Sequence, residues 1–197
     1  MTRSTGQAPK VLAFAGSARS GSFNKQMVRA AVRGVESAKV ACTLIDLRDY
    51  ALPLYDADLE SAEGLPAAAI ALRELFQEHQ GLLIASPEYN SSISPLLKNS
   101  VDWVSRSPEA KQDLSGFQGK VAAIMAASPG PLGGLRGLVV LRSLLTNIGV
   151  TVLAQQVTLR GAGDAFGNGR LREARQAQRV ENLGRELAEL VLKLHAA

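Results

Sequence analysis

A loop rich in small and hydroxyl side chains follows the first apolar run of the sequence. It spans residues 16–24 (GSARSGSFN) and leads directly into a segment of helical periodicity. Small residues let backbone amides converge, and a helix N-terminus carries partial positive charge. Three hydroxyls, those of Ser17, Ser20 and Ser22, and the side chain of Asn24 add donors. Arg19 adds a guanidinium that can pair with an anion. The loop indicates a phosphate site, although an ordinary polar turn with a serine N-cap would have the same residues.

Two commoner phosphate loops are excluded by the residues at particular positions. Gly16 and Gly21 have the spacing of a P-loop, but Ser22 and Phe23 replace its lysine and hydroxyl residue. A dinucleotide-binding fingerprint requires Gly-x-Gly-x-x-Gly, and position 18 is alanine. A terminal phosphate bound without a metal ion, as in a mononucleotide, is the interpretation that remains.

Two further loops with binding features follow later apolar runs. Residues 86–95 (SPEYNSSISP) combine an aromatic side chain, two prolines and many free amides, which suit the edge of a flat heterocycle. Glu88 in this loop is a candidate general base, but no carboxylate or histidine lies near it in sequence to act with it. Residues 128–136 (SPGPLGGLR) are rich in glycine, which lets a ligand approach the backbone closely, although their prolines also suit a plain connector.

Cysteine and histidine chemistry is largely excluded by composition. The chain has one cysteine and two histidines, which rules out an intramolecular disulfide and the common zinc sites. Cys42 lies in the apolar stretch VACTLIDL, which predicts a buried strand, so a Cys–His nucleophile pair is disfavoured.

Length and composition predict one globular domain. The chain has 197 residues, of which 46% are hydrophobic and 20% charged. A net charge of +4 suits an anionic ligand but is far from the clustered charge of a dedicated DNA-binding protein. The N-terminus has no apolar core typical of a secretory signal, and runs such as VAAIMAA are too short to span a bilayer. We therefore expect a cytoplasmic protein without nucleic-acid or membrane partners.

Apolar runs typical of buried strands alternate with segments of helical period. Five strands are predicted, at residues 11–16, 40–47, 81–86, 120–128 and 151–157. Five helices are predicted, at residues 22–36, 67–79, 95–106, 134–148 and about 170–194. A flexible loop is predicted at residues 161–169. Such βα units require parallel strands with helices on both faces, and ligands bind at the carboxyl edge of such a sheet. The three loops should therefore meet at one edge.

The predicted helix 95–106 allows two interpretations. Its apolar residues suit either a core helix with a partly exposed Trp103 or a contact with another subunit. Asp102 is spaced to pair with Arg106 at i+4.

Together the three loops resemble the NADPH-dependent FMN reductase family, over roughly residues 10–160. The matching motifs are GSARSGSFN, then SPEYNSSISPLLKNSVDWVSR, then SPGPLGG followed by Leu141-Arg142, and the second is the most specific. The resemblance implies a flavodoxin-like three-layer α/β sandwich with a five-stranded parallel sheet in the order 2-1-3-4-5. Residues 1–9 are predicted to be a flexible lead, and residues 10–197 are predicted to form a single flavodoxin-like FMN-binding domain.

The resemblance implies a role for each matching position. The FMN phosphate would be held by Ser17, Arg19, Ser22 and Asn24 and by the amide of Phe23. The isoalloxazine would be lined by Pro87, Glu88, Tyr89 and Asn90, largely through backbone amides, and flanked by Ser128 and Gly130. Gly133 and Gly134 would leave room for the nicotinamide. Ser91 stands where relatives often have Gly or Tyr, beside the open face of the flavin, so substrate preference does not carry over.

The implied reaction belongs to the flavin. A hydride passes from NADPH or NADH to flavin N5 and then to a small-molecule acceptor such as a quinone, chromate, an azo compound or free flavin. The reaction requires no catalytic side chain and no metal. Reduced flavin carries negative charge near N1 and O2, which backbone N–H groups stabilise.

The resemblance also implies a homodimer or homotetramer with a contact through helix 95–106. Two other classes of function remain open: a flavodoxin-type electron carrier, although such carriers are typically acidic, and a non-catalytic flavin-binding sensor. Oxidation of NADPH by the FMN-loaded protein distinguishes the three.

Overall fold

A six-stranded parallel sheet forms the centre of the protein. The computed structural model describes residues 8–195, so residues 1–7 of the predicted flexible lead lie outside the described residues. The strands are β1 (Lys10–Ala15), β2 (Ala41–Leu44), β3 (Gly81–Ala85), β4 (Val121–Ala127), β5 (Thr151–Val152) and β6 (Val157–Leu159). Their order is β2-β1-β3-β4-β5, with β6 also paired to β4, which confirms the flavodoxin-like order.

Helices cover both faces of this sheet. They are α1 (Phe23–Ser37), α2 (Ala57–Glu63), α3 (Ala67–Glu78), α4 (Pro95–Val104), α5 (Leu135–Asn147), α6 (Ala162–Ala165) and α7 (Ala174–His195). One core cluster lies between the sheet and α1 and α7, and the other lies between the sheet and α3, α4 and α5. This is the three-layer arrangement expected for βα units. In the described part of the chain, no helix combines the length and apolar character needed to cross a membrane.

The predicted fifth strand is interrupted in the structure. β5 pairs with the start of β4 and β6 with its end. After the Leu153 amide donates to the carbonyl of Ala122 (2.8 Å), the chain leaves the ladder until Val157. The Arg142 guanidinium donates hydrogen bonds to the carbonyls of Val152 (3.4 Å) and Leu153 (2.8 Å) and to the side chain of Gln156 (3.0 Å). A side chain from α5 therefore satisfies carbonyls at the interruption, which a pattern of apolar residues cannot reveal.

Three other segments differ from the sequence prediction. The connection after β2 contains α2 and a 3-10 turn at Leu47–Asp49. Residues 161–169 were predicted as a flexible loop, but they form α6 and begin a small hairpin of β7 (Phe166–Gly167) and β8 (Arg170–Leu171). Because the hairpin extends to Leu171, the last helix begins at Ala174 rather than near residue 170.

The helices α1 and α7 approach each other closely enough for backbone contact. A Cβ atom at Gly34 would lie 1.8 Å from the carbonyl oxygen of Glu181, and one at Gly184 would lie 2.0 Å from that of Ala31. Only glycine fits at these two positions. The same crossing carries an ion pair between Arg33 and Glu181, at 2.8 Å.

Candidate functional site

The loop between β1 and α1 is fixed at its first residue. The amide of Gly16 donates to the carbonyl of Ala85 (2.9 Å), and the Ser94 hydroxyl donates to the carbonyl of Gly16 (2.6 Å). A Cβ at Gly16 would lie 3.0 Å from the Cβ of Leu97. Glycine therefore lets this loop pass tightly between β3 and α4.

The end of the same loop presents donors at the N-terminus of α1. Ser22 is the N-cap, and its hydroxyl accepts from the amide of Lys25 at 3.4 Å. The amides of Phe23 and Asn24 belong to the first turn, where a helix provides no acceptor. Ser17 is buried and lines the cleft beside this helix terminus. These donors suit an anion.

Arg19 lies on an aromatic stack beside this helix terminus. Its guanidinium lies 5.8 Å from the ring centroid of Phe23 and donates to the carbonyl of Gly21 at 3.2 Å. The Phe23 ring stacks on Phe166 of the β7–β8 hairpin, with centroids 5.9 Å apart and planes 11° apart. The stack restricts Arg19 to the neighbourhood of the donors. Phe166 was not singled out in the sequence because it lies among glycines.

Asn24 joins the loop to the end of β4. Its amide Nδ2 donates to the carbonyl of Ala127, and its Oδ1 accepts from the amide of Ala127, both at 2.9 Å. One Nδ2 hydrogen remains for a ligand. The sequence prediction treated Asn24 only as a phosphate ligand, whereas the structure shows that its side chain also holds two loops together.

A charged network after β2 braces the loop from the other side. Asp46 accepts from Lys25 at 2.6 Å and from Arg48 at 3.4 Å, and Arg48 donates to the Ser20 hydroxyl at 3.1 Å. Burial alone would raise the pKa of Asp46, but the hydrogen bonds and charges of Lys25 and Arg48 lower it, so the carboxylate stays ionised. The sequence prediction missed this network because its members come from different loops.

The loop after β3 ends in a tight hairpin turn. Tyr89 and Ser92 exchange both backbone hydrogen bonds, at 3.0 Å each. Asn90 and Ser91, between them, have φ values of 50° and 65°. A two-residue turn with both central residues at positive φ is the type I′ geometry, in which glycine and asparagine are preferred. The turn presents Tyr89 with 47% of its surface exposed.

Glu88 is an ion-pair partner in the structure. Its carboxylate accepts from Arg136 Nη2 at 2.7 Å and from the amide of Gly137 at 3.1 Å. Burial alone would raise the pKa of Glu88, but the Gly137 amide and the Arg136 guanidinium more than offset burial and lower it. A carboxylate held ionised by two strong partners is a poor proton acceptor. The hypothesis that Glu88 acts as a general base is therefore disfavoured.

The glycine loop after β4 is held against β6. The amide of Ser128 donates to the carbonyl of Leu159 at 3.0 Å, and the Ser128 hydroxyl accepts from the amide of Gly130 at 3.2 Å. Gly133 and Gly134 have φ values of 62° and 91°, and a Cβ at Gly134 would lie 2.6 Å from that of Ala126. The glycines are therefore required by the turn itself as well as by any approaching ligand.

The three loops meet in one cleft at the carboxyl edge of the sheet. Its lining residues are Ser17, Arg19, Ser22, Phe23, Asn24, Pro87, Glu88, Tyr89, Ala127, Ser128 and Pro129. The enclosed volume is about 80 Å³, the size of a phosphate group rather than of a whole nucleotide. The other predicted positions, Asn90, Ser91, Gly130, Gly133 and Gly134, lie on the same loops but do not line it. The donor set fits the phosphate of FMN.

The cysteine and the buried histidine take no part in this cleft. Burial, with a smaller contribution from Glu36, raises the pKa of the Cys42 thiol to about 12, so the thiol is protonated at neutral pH. The ring nitrogens of His79 lie 2.6 Å from the carbonyl of Leu75 and 2.8 Å from the hydroxyl of Thr43. Because the Cys42 thiol is protonated and both ring nitrogens of His79 contact other groups, these residues do not support a Cys–His nucleophile.

Two predictions for the helix at 95–106 were wrong. Trp103 is fully buried, and its indole N–H donates to the carbonyl of Pro53 at 2.8 Å, so it is not partly exposed. Asp102 pairs with Lys98 at 2.7 Å rather than with Arg106. The helix ends at Val104, which lets Arg106 turn away towards α2.

Arg106 forms an ion pair with a buried carboxylate. Its Nη2 lies 2.7 Å from Glu60 Oε2, its Nε donates to both carboxylate oxygens, and the Tyr55 hydroxyl donates to Oε2 at 3.1 Å. Glu60 is 3% exposed. The hydrogen bond from Arg106 is the main cause that lowers the pKa of Glu60 against its burial. The pair fastens the connection after β2 to the end of α4.

A larger groove lies between α4 and α5. Its volume is about 860 Å³, and its lining includes Val101 of α4 and Val139, Val140 and Leu144 of α5. Val139 is 62% exposed. An exposed apolar groove of this kind is typical of an interaction surface.

Comparisons with known proteins identify similar sequences and structures. A sequence profile of the family described as NADPH-dependent FMN reductase matches residues 9–164. An NAD(P)H-dependent FMN reductase of Pseudomonas aeruginosa is 37% identical over 174 residues, covering 87% of this chain and 89% of that protein. A quinone reductase of Escherichia coli is 37% identical over 144 residues, covering 73% of each.

A solved structure supports the fold over nearly the whole chain. FerB of Paracoccus denitrificans, described as a flavoenzyme NAD(P)H:(acceptor) oxidoreductase, matches with a TM-score of 0.79. The match covers 94% of this chain and 98% of FerB at 22% identity. The profile match ends before Phe166, so the aromatic stack beneath Arg19 includes a residue outside it.

Proposed function

The chain belongs to the NADPH-dependent FMN reductase family, and from this we propose that it passes a hydride from NAD(P)H through FMN to a small-molecule acceptor such as a quinone. It is an NAD(P)H-dependent oxidoreductase that uses FMN. The observation that carries the proposal is the convergence of three loops on one cleft at the N-terminus of α1. We also propose a cytoplasmic location, where NAD(P)H is available to supply the hydride.

The phosphate of FMN is assigned to the β1–α1 loop. In this assignment Ser17, Ser22 and the amide of Phe23 donate to its oxygens, and Arg19 supplies the opposite charge. Asn24 offers its second Nδ2 hydrogen while it holds the loop to β4. The support is that these donors lie together in the cleft at the N-terminus of α1.

The isoalloxazine is assigned to the other two loops. FMN supplies the hydride chemistry when bound. Its pyrimidine edge is lined by the backbone of four residues of the loop after β3: Pro87, Glu88, Tyr89 and Asn90. The ring is flanked by Ser128 and Gly130 of the loop after β4. In that loop, space for the nicotinamide is left by Gly133 and Gly134. The interlocked hydrogen bonds of these loops keep their amides in place before the reaction, which is how fixed dipoles stabilise developing charge.

A quinone is the proposed acceptor because the Escherichia coli relative is a quinone reductase. Chromate, azo compounds and free flavin remain further candidates. Ser91 stands on the exposed turn beside the proposed ring site and is the residue at which we expect acceptor preference to be adjustable. A flavodoxin-type electron carrier and a non-catalytic flavin sensor are less well supported, because relatives at 37% identity are reductases.

The protein should bind one FMN per chain without a covalent bond and should bind little FAD, because the enclosed end of the cleft fits a terminal phosphate. The FMN-loaded protein should then oxidise NADPH or NADH in the presence of a quinone. Absorption spectra after reconstitution give the stoichiometry, and steady-state assays with both nucleotides and a panel of quinone, chromate and azo acceptors give the activity. The flavin-free protein is the control. Flavin bands far below one per chain, or no nucleotide oxidation by the loaded protein, would reject the proposal.

We also propose that the enzyme is a homodimer or homotetramer in which the groove between α4 and α5 receives a second copy. Val139→Glu should break this contact at micromolar concentration, because a carboxylate would have to be buried in an apolar contact, so a dimer should become a monomer and a tetramer a smaller assembly. Light scattering measures the mass, and Leu192→Glu, on the exposed surface of α7, is the control. A monomeric wild-type protein, or a variant with the wild-type mass, would refute this contact.

A further inference from the structure

An ion pair joins two of the three loops around the cleft. Arg136 donates to Glu88 Oε1 from both Nε (2.9 Å) and Nη2 (2.7 Å), and Gly137 donates to Oε2 (3.1 Å). Glu88 lies in the loop after β3, whereas the other two residues lie in the first turn of α5, which follows the glycine loop. We call this contact among Glu88, Arg136 and Gly137 the Glu88 latch.

At the Glu88 latch, α5 packs closely against the loop after β3. A Cβ at Gly137 would lie 3.2 Å from the Cβ of Glu88 and 3.2 Å from the carbonyl oxygen of Ser92. The side chain of Glu88 is 8% exposed, whereas that of Arg136 is 58% exposed. The carboxylate is therefore fixed inside the cleft wall, and its charge is neutralised by a cation at the rim.

This arrangement places a balanced pair of charges beside the proposed flavin site. We propose, on the basis of the proposed function, that the Glu88 latch tunes how strongly the site favours reduced over oxidised FMN. Glu88 positions the two loops, and Arg136 cancels its negative charge so that the carboxylate does not repel the charge that FMN gains on reduction. Glu88 lines the same cleft as Ser17 and Arg19, so a change in its net charge acts on the bound cofactor.

Removing either partner of the latch should have opposite consequences. Glu88→Gln leaves Arg136 unpaired, and the uncompensated positive charge favours reduced FMN. Arg136→Met leaves the Glu88 carboxylate with only the Gly137 amide, and the uncompensated negative charge disfavours reduced FMN. A purely structural role would instead weaken binding of both redox states together.

The experiment measures the FMN midpoint potential and the dissociation constant of oxidised FMN for each variant. We expect Glu88→Gln to raise the ratio of affinities for reduced and oxidised FMN about threefold to tenfold, and Arg136→Met to lower it by a similar factor. A tenfold change corresponds to about 30 mV for a two-electron couple. The double variant should return to within about twofold of the wild type, because its latch carries no charge.

Arg179→Met is the matched control, since it removes the same charge from the exposed surface of α7 and should leave the potential unchanged. Shifts in the same direction in both single variants, or no shift while FMN still binds, would overturn the latch and leave the proposed function standing. Failure of the wild type to bind FMN would overturn both.

Discussion

Arg106→Met should lower the free energy of unfolding by about 3–5 kcal/mol, because it leaves a buried carboxylate without its cation. Glu60, which is 3% exposed, would keep only the hydrogen bond from Tyr55. Urea denaturation followed by circular dichroism measures the change as a shift of the midpoint at constant slope. The double variant Glu60→Gln/Arg106→Met should recover part of the loss, because a neutral amide is easier to bury than a carboxylate.

The effect of Arg106→Met should depend on pH in a direction that follows from Glu60. The pKa of Glu60 is lowered in the folded protein, so its ion pair stabilises the fold above the usual carboxyl range and this stabilisation is lost as the pH falls through the lowered pKa. The difference in free energy of unfolding between wild type and variant should therefore be large at neutral pH and shrink in acid.

Arg185→Met is the control for the stability measurement, since the pair of Arg185 with Glu189 is about half exposed and should contribute no more than about 1 kcal/mol. Equal losses for the two variants would contradict the assignment of a buried pair.

Arg19→Ala should weaken FMN binding about tenfold to a hundredfold, because hydrogen bonds to a charged group contribute about 1.5–3 kcal/mol. Riboflavin lacks the phosphate, so its affinity should be nearly unchanged. The structure supports this size of effect because the stack on Phe23 and Phe166 holds the guanidinium near the helix terminus. Partial compensation by the serine hydroxyls and the helix terminus would place the result at the lower end of the range.

Fluorescence titration of both ligands into both proteins separates the possible outcomes for Arg19. Arg29→Ala removes the same charge from an exposed position on α1 and should leave both affinities unaltered. Equal losses of FMN and riboflavin binding, or no loss of either, would remove Arg19 from the phosphate site and weaken the assignment of the whole loop.

The sequence predicts best the strands that are buried on both faces of the sheet. β1, β3 and β4 are buried on both faces, so continuous apolar runs located them to within about two residues. β2 is an edge strand and is only half-buried, so its ladder ends at Leu44, three residues before the predicted end. The hairpin at β7–β8 escaped prediction because a stretch with four glycines has the composition of a flexible loop.

In the candidate site, features that depend on neighbouring residues can be predicted from the sequence, whereas contacts between distant residues cannot. The donors at residues 17–24 could be predicted because they are consecutive and their chemistry is local. The partners that hold the site, such as Arg136 for Glu88 and Ala127 for Asn24, lie 48 and 103 residues away in sequence. No local pattern marks such pairs, so the sequence alone leaves Glu88 open to interpretation as a general base.

The backbone contact of α1 with α7 bears on the order of events during synthesis. Arg33 and Glu181, which pair at this crossing, are 148 residues apart. At about 5–20 residues per second, a ribosome needs roughly 7–30 s to make the chain between them. Throughout that interval α1, which begins directly after the β1–α1 loop, exposes the apolar face that α7 covers in the folded protein. A chaperone that shields α1 would therefore act on the amino-terminal half of the chain while the carboxyl-terminal half is still being made.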